Sequence, residues 1–360
     1  MRPPRPTIQD VAAQAGVSVT TVSHVLNRVQ TARVKEATRI RVEEVAARLG
    51  YAPNGLARGL RRKRSQTLAL LSDRIATTPF AGSIILGAQE KAAELGWVLM
   101  LYSTGDDAEV EQREIDTLLQ HQVDGVLYAT WYHREVSVPP KLARVPVVLL
   151  DCTSGDPGLP SVVPDEYGSG YNATLELIRH GHRRIGFVTN VDDVPATWGR
   201  LRGYRDALHR AEIRYQEHLV AADVSETPGG YRTGLQLLTG PDRPTAIFCY
   251  NDRMAMGVYR AAREVGLEIP KDLSVVSIDN QEIIAEGLYP GLTTMALPHY
   301  EMGAWAVQHL IARLESAGGD QAQRAERAVL PCPIVRRGSI AAPPLEPDRA
   351  ASPGADGGGS

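Results

Sequence analysis

No stretch of this 360-residue chain approaches the ~20 consecutive apolar residues that a membrane-spanning helix needs. The N-terminus is rich in Arg and Pro and has no apolar core of the secretory type, so no signal peptide and no membrane partner are expected, and the setting expected is cytoplasmic. Cysteine is scarce. Cys152, Cys249 and Cys332 are the full set; none has CxxC spacing, and all lie in or beside apolar strands. They are expected as reduced structural thiols. No nucleophile–base pair or metal-ligand cluster stands out. His180 and His182 sit two apart before a strand, too few ligands for zinc. The expectation is therefore no enzyme, no cofactor and no metal. Residues 341–360 are rich in Pro, Ala, Gly and Ser and are expected to be disordered. They also lack the heptad leucines of a C-terminal coiled coil.

What is present is concentrated at the other end. Residues 7–27 read TIQDVAAQAGVSVTTVSHVLN. Val11, Ala12 and Ala15 give a first helix one apolar stripe. Gly16 ends it, because glycine reaches positive φ without steric cost. Ser18 can cap a second helix, whose buried stripe is Val22, Val25 and Leu26. The outer face of that helix is Val19, Thr20, Thr21, Ser23, His24 and Asn27. It is short, polar and uncharged, with donors and acceptors at helical spacing. Such a face suits an element pressed into a DNA major groove, where bases are read through hydrogen bonds and methyl contacts. An ordinary surface helix would share the composition.

The charge distribution separates these readings. Residues 1–64 hold thirteen Lys and Arg against four acids, a net +9, so the remainder carries −12 within an overall −3. A basic head on an acidic body binds phosphate without body-wide attachment to DNA.

A third helix is expected at 36–49, with Ile40, Val45, Ala46 and Leu49 inward. Then comes YAPNGLARGL at 51–60, followed by Arg61-Arg62-Lys63-Arg64. Pro53 stops the third helix and Asn54 can cap a very short new one. Leu56, Ala57 and Leu60 share one side, while Gly55 and Gly59 weaken it. An apolar wedge flanked by Arg58 and Arg61 fits insertion into a minor groove, ordered only on DNA. A flexible linker is the plainer reading of the segment alone.

DVAAQAGVSVTTVSHVLN, followed by GYAPNGLARGL, resembles the headpiece and hinge helix of the lactose-repressor (LacI/GalR) family of bacterial transcription regulators. The resemblance runs to about residue 338 through PFAGSIILG at 79–87, VDGVLY at 123–128, HGHRRIGFV at 180–188, GRLRGYRDAL at 199–208, RPTAIFCYNDRMAMGVYRA at 243–261, PKDLSVVSIDN at 270–280 and LTTMALP at 292–298. Together these are highly specific. The chain departs from the family at Val34-Lys35 before the third helix, in a longer loop from Asn27 to Val34, and at SVVSIDN, where a Gly-aromatic pair commonly precedes the Asp.

The body reads independently as α/β. Strands are expected at 67–72, 97–102, 124–129, 146–151, 184–189, 245–249 and 274–278. Helices are expected at 81–95, 108–121, 167–180, 199–211, 229–238, 251–265 and 299–315. Such alternation implies parallel sheets wrapped by helices, with ligands at the carboxyl ends of the strands. The resemblance implies two periplasmic-binding-protein-like lobes joined by three crossovers, near 66–164 plus 297–325 and 165–290 plus 326–340. The resulting plan is an all-α helix-turn-helix headpiece at 1–52, a hinge at 53–65, an effector-binding and dimerisation body at 66–340 and the tail at 341–360.

Candidate ligand groups sit where strands end. Asp151 closes PVVLLD, Asp279 closes SVVSID, and Asn251 with Asp252 follows AIFCY. The resemblance implies effector contacts from Phe80, Trp131, Asp151, Arg200, Asn251 and Asp279. Carboxylates and a guanidinium bind sugar hydroxyls in bidentate fashion, and Trp131 or Phe80 could stack on a pyranose face. Asp252 reads more simply as a helix cap. Trp198 reads as core or hinge. On the headpiece, Thr20, His24 and Val19 are assigned to bases. Thr21, Ser23 and Asn27 are assigned mainly to phosphates. Thr7, Ser18 and the hinge residues Asn54, Leu56, Ala57, Arg58, Leu60 and Arg61 complete the DNA set.

Gly168-Ser169-Gly170-Tyr171-Asn172-Ala173 imitates a dinucleotide fingerprint, GxGxxA, with Asp192 about twenty residues on. The preceding SVVPDEY is short and broken by Pro164, a poor central strand, and the glycines start inside a helix. Three function classes therefore stand: a ligand-controlled repressor with operator DNA, a sugar-type effector and a homodimeric body; an NAD-dependent oxidoreductase; and a transport-type sugar-binding protein. The basic headpiece and the missing leader oppose the third, and the lack of catalytic groups opposes the second. A tetramer built on a lactose-repressor-like coiled coil is not expected.

Overall fold

A computed structural model describes residues 6–26, 33–51, 64–74, 78, 82–105, 107–316 and 325–344. The chain divides into two units, Met1–Thr67 and Leu68–Ser360.

The first unit contains α1 (Ile8–Ala15), α2 (Val19–Leu26) and α3 (Glu36–Leu49). Thr7 starts α1 through a reciprocal cap. Its hydroxyl accepts from the Asp10 backbone N–H, and the Asp10 carboxylate accepts from the Thr7 backbone N–H at 2.7 Å. Gly16 ends α1 at φ 64°. Ser18 Oγ accepts from the Thr21 N–H at 3.1 Å, as a cap for α2 should. The three helices close over Val11, Ala12, Ala15, Val22, Val25, Val42, Val45 and Ala46. One residue departs from the sequence reading. Ile40 is 48% exposed, and Val42 takes the inward place. Two helical positions are about 200° of rotation, so a stripe through 42, 45, 46 and 49 turns residue 40 outward.

The second unit is built on two six-stranded sheets. The first uses β1 (Thr67–Ser72), β2 (Val98–Ser103), β3 (Gly125–Glu135), β4 (Val147–Thr153), β5 (Ser161–Pro164) and β11 (Arg327–Leu330), in the order β11-β5-β4-β3-β1-β2. The second uses β6 (Ile185–Asn190), β7 (Val220–Asp223), β8 (Ala246–Cys249), β9 (Ser274–Asp279), β10 (Thr293–Ala296) and β12 (Ile334–Val335), in the order β12-β10-β9-β8-β6-β7. β12 runs antiparallel to β10. The β3–β4, β4–β5, β6–β8, β8–β9 and β9–β10 pairs are parallel.

Each sheet is buried on both faces, which accounts for the unbroken apolar strands. α4 (Gly82–Glu94) and α11 (His299–Ser316) cover one face of the first sheet, beside Leu68 and Leu70. α5 (Ala108–Gln120) covers the other, beside Ala69 and Leu71. On the second sheet, α6 (Glu166–Arg179) and α7 (Pro195–Arg210) pack over Phe187, Phe248 and Val276. α8 (Thr227–Thr239) and α9 (Asp252–Glu264) pack over Val188, Ile247 and Val275. A short α10 (Glu282–Ala285) follows β9.

The chain passes between lobes three times: from β5 to α6, from β10 to α11, and from β11 to β12. The number of crossovers agrees with the family pattern, but one boundary moves. Residues 327–330 pair with β5 in the first sheet, not the second. Residues 161–164 also form a strand interior to the sheet, despite Pro164. The proline is tolerated because it is the last residue of β5. The tail begins later than its composition suggested. The Ala341 N–H donates to Ser274 Oγ at 3.0 Å, and the Ala341 carbonyl lies 2.9 Å from His182 Nε2. Residues 345–360 lie outside the described residues.

Candidate functional site

On the headpiece, Val19 and Thr20 are exposed, while Thr21, Ser23 and His24 are partly buried at the edge of the same face. The Thr21 hydroxyl lies 2.9 Å from Ser18 Oγ. Thr7 is committed to Asp10. The face stays free of charge, and its hydroxyls and imidazole stand on a helix braced from behind by Val22 and Val25. Such a helix can enter a major groove and exchange hydrogen bonds with base edges. Asn27, Asn54, Leu56, Ala57, Arg58, Leu60 and Arg61 lie outside the described residues, as does Phe80.

In the body, the two sheets present their carboxyl ends to one cleft. The first lobe contributes through a break in its own ladder. β3 pairs with β4 in register up to Ala129 and again from Arg134, with a shift between. Such an irregularity re-aims the intervening side chains. Trp131, Tyr132 and His133 consequently line the cleft. Thr130 holds the bend, donating to the Tyr132 and Asp151 carbonyls at 2.8 Å each. The Trp131 N–H donates to Asp73 at 3.1 Å, and its ring meets Tyr132 edge-on, centroids 4.8 Å apart.

Two carboxylates face each other from the strand ends. Asp151 lies in the gap of the β3–β4 ladder at φ 56°, two residues before β4 ends, and Asp279 closes β9 at φ 124°. Both conformations are uncommon for a residue with a side chain, and such strain concentrates at functional sites. Asp151 is buried, and its Oδ1 has no hydrogen-bond partner. Burial, then the nearby charge of Glu166, pushes its carboxyl well above the usual range, with Arg200 opposing. Asp279 accepts from Gln281 Nε2 at 2.8 Å. Burial also raises its carboxyl, while Arg200 pulls it back.

The charge of Arg200 acts on both. Its Nε donates to Glu166 Oε2 at 2.7 Å and its Nη1 to the Tyr250 carbonyl at 2.6 Å, with the guanidinium 4.4 Å from the Tyr250 ring centroid. His133 Nδ1 is 3.9 Å from Glu166 Oε1. Burial lowers the imidazole's proton affinity, which the Glu166 charge partly restores.

The cap read at Asp252 falls instead to Asn251. Asn251 caps α9, its Oδ1 accepting from the Met254 N–H at 2.8 Å and its Nδ2 donating to the Ser225 carbonyl at 3.0 Å. It still lines the cleft. Asp252 is not a cap. Its carboxylate is fully buried and accepts from Ser277, from Thr294 at 2.8 Å and from the Gln281 N–H at 2.7 Å. It braces the loop that carries Asp279.

This architecture meets the two halves of known regulators. Residues 7–54 match the model for bacterial regulatory proteins of the lacI family, and residues 174–340 match a periplasmic binding protein-like domain. The ribose operon repressor of Escherichia coli K12 is 36% identical over 311 residues, 86% of this chain and 93% of the relative. The chain belongs to the lacI family of bacterial regulatory proteins.

Among solved structures, the transcriptional regulator CelR in complex with cellobiose is 31% identical, with a TM-score of 0.66 over 93% of this chain and 100% of the other. The lac repressor dimer bound to operator and an anti-inducer is 26% identical, with a TM-score of 0.76 over 94% of this chain and 100% of the other. The lacI-family chain is thus a DNA-binding transcriptional regulator with a helix-turn-helix headpiece and a two-lobed body. Among the described residues, no helix is long and apolar enough to cross a membrane.

The structure brings Trp131, Asp151, Arg200, Asn251 and Asp279 to one cleft. Sequence reasoning missed Glu166, His133, Asn190 and Tyr250, which line it too. Glu166 was concealed by the GxGxxA string beside it. Of its two glycines, Gly170 serves helix packing: a Cβ there would strike the Arg200 backbone, as one on Gly203 of the facing helix would strike the Tyr167 carbonyl, while one on Gly168 would meet the Asp165 side chain. Trp198 is 57% exposed and so is not a core residue.

Proposed function

We propose that this regulator represses carbohydrate-related genes from the cytoplasm, binding a palindromic operator as a dimer under control of a small hydroxyl-rich effector held in the cleft. The observation that carries this reading is the convergence of Asp151, Arg200, Asn251 and Asp279 on one cleft between lobes, in a chain that also bears the basic headpiece. Carboxylates with an open acceptor atom accept ligand hydroxyls, and the Trp131 ring offers an apolar face. The ribose and cellobiose named for its relatives support a sugar.

Thr20, His24 and Val19 read bases, while Thr7, Ser18, Thr21, Ser23 and Asn27 fix the backbone. The hinge residues Asn54 to Arg61 order on paired half-sites, with Leu60 as the minor-groove wedge. Effector binding changes lobe closure, and with it the spacing of the two hinges, coupling the sites by differential affinity. The protein acts by binding alone and transforms no substrate.

Fluorescence anisotropy with operator DNA, with and without sugars, tests this. Specific binding that falls steeply with salt, and that one sugar shifts, is expected. Asp279→Ala should retain operator binding and lose the shift. Absence of specific DNA binding, or an unchanged sugar response in Asp279→Ala, overturns it.

A further inference from the structure

The cleft carries an excess of acid that its own cations do not offset. Four carboxylates line it: Asp151, Glu166, Asp192 and Asp279. The cations are Arg200 and Arg253. Arg200 is bound by Glu166, and Arg253 Nη1 donates to Glu226 at 2.6 Å. Among the described residues no ion pair reaches Asp151, Asp192 or Asp279. Behind them stand two further acids, Asp252 beneath Asp279 and Asp73 beside Trp131, the latter paired with Arg134 at 2.8 Å. The imidazoles at the cleft are His133 and His299; burial of His133 disfavours its cationic form.

The cleft also holds unmet hydrogen-bonding atoms, His133 Nδ1 among them. Asp151 Oδ1 and Asn190 Oδ1 are buried acceptors without partners, and both residues face the cleft. The two acceptors call for donors on the ligand, and both described arginines that line the cleft are already ion-paired.

We infer that the effector is an uncharged, hydroxyl-rich molecule, and that the cleft rejects its phosphate ester. The regulator then reads a sugar or nucleoside before phosphoryl transfer, the class of reaction that would consume it. This rests on the cleft being the effector site. Hydroxyls donate to Asp151, Asn190 and Asp279, and a phosphate dianion meets the like charges of Asp192 and Asp279.

Binding to the full-length protein is measured by calorimetry and thermal shift with matched pairs: D-ribose and ribose 5-phosphate, D-glucose and glucose 6-phosphate, adenosine and AMP. The expected result is that a neutral member binds and its ester binds at least about a hundredfold more weakly, the scale of a like-charge penalty. An ester that binds as tightly as its neutral partner, or more tightly, overturns the inference while leaving the cleft as the effector site. If no member of any pair binds, the reading of the cleft fails and the inference falls with it. Asp192→Lys, at an exposed position on the rim, should narrow the neutral-to-ester ratio by about tenfold. An unchanged ratio would mean that charge is not what excludes the ester.

Discussion

Arg200 and Glu166 form a buried ion pair, Nε to Oε2 at 2.7 Å, with side-chain exposures of 4% and 7%. The pair joins α7 to the first residue of α6, at the point where the chain has just left the first lobe. The cleft lining and the lobe connection therefore share one interaction.

Removing the cation should be costly. Arg200→Met leaves the Glu166 charge buried without its partner, a change worth about 3–5 kcal/mol. Urea unfolding of the body should register that loss. A loss below about 1 kcal/mol would mean that Glu166 escapes to water or takes up a proton.

The α6–α7 crossing tolerates no added side chain at its centre. Gly170→Ala places a methyl against the Arg200 backbone. Overpacking of this kind costs about 1–3 kcal/mol. Because Arg200 must shift, effector affinity should fall together with the melting temperature. Unaltered values for both would show that the helices separate freely.

Asp279 should leave a signature in stability against pH. Its folded value is raised to about 6 from 3.8, chiefly by burial. The folded state therefore keeps a proton that the unfolded chain has released. This contribution is full below pH 3.8 and disappears as pH rises through about 6. Urea midpoints for the wild type, relative to Asp279→Asn, should decline between about pH 4 and pH 7. Parallel profiles would show that Asp279 titrates as in the unfolded chain.

Thr20 is assigned to a base edge, so its loss should act on specificity. Thr20→Ala should weaken operator binding by about 1–3 kcal/mol and leave binding to unrelated DNA unchanged. Equal losses on both DNAs would move Thr20 to a backbone role.

Local signals carried far. The cap at Ser18, the stop at Gly16 and the third helix at 36–49 all follow from neighbours a few positions away, whereas the cap at Thr7 was seen only in the structure. The long strands and helices of the body were equally legible, since each holds an apolar run or stripe of adequate length. Of the four-residue strands, Ala246–Cys249 was read at 245–249 but others were not. Ser161–Pro164, Val220–Asp223 and Thr293–Ala296 are too short to show a period. Their state is set by the neighbouring strands that complete their hydrogen bonds.

The cleft divides in the same way. Asp151, Asn251 and Asp279 could be named because each lies at or just after the end of an apolar strand, and Arg200 through the family resemblance. That Asn251 is spent on capping and Asp252 on bracing could not be read, because Ser225, Ser277 and Thr294 come from other elements. Glu166 became a partner of Arg200 only when two glycines brought α6 and α7 together. By itself the sequence determined the family, the helix-turn-helix headpiece, the strand–helix alternation and the charge division between head and body, since all of these are local or additive properties. Tertiary structure decided which carboxylates are paired and which remain open, because desolvation and ion pairing depend on groups that meet only when both lobes have closed their sheets.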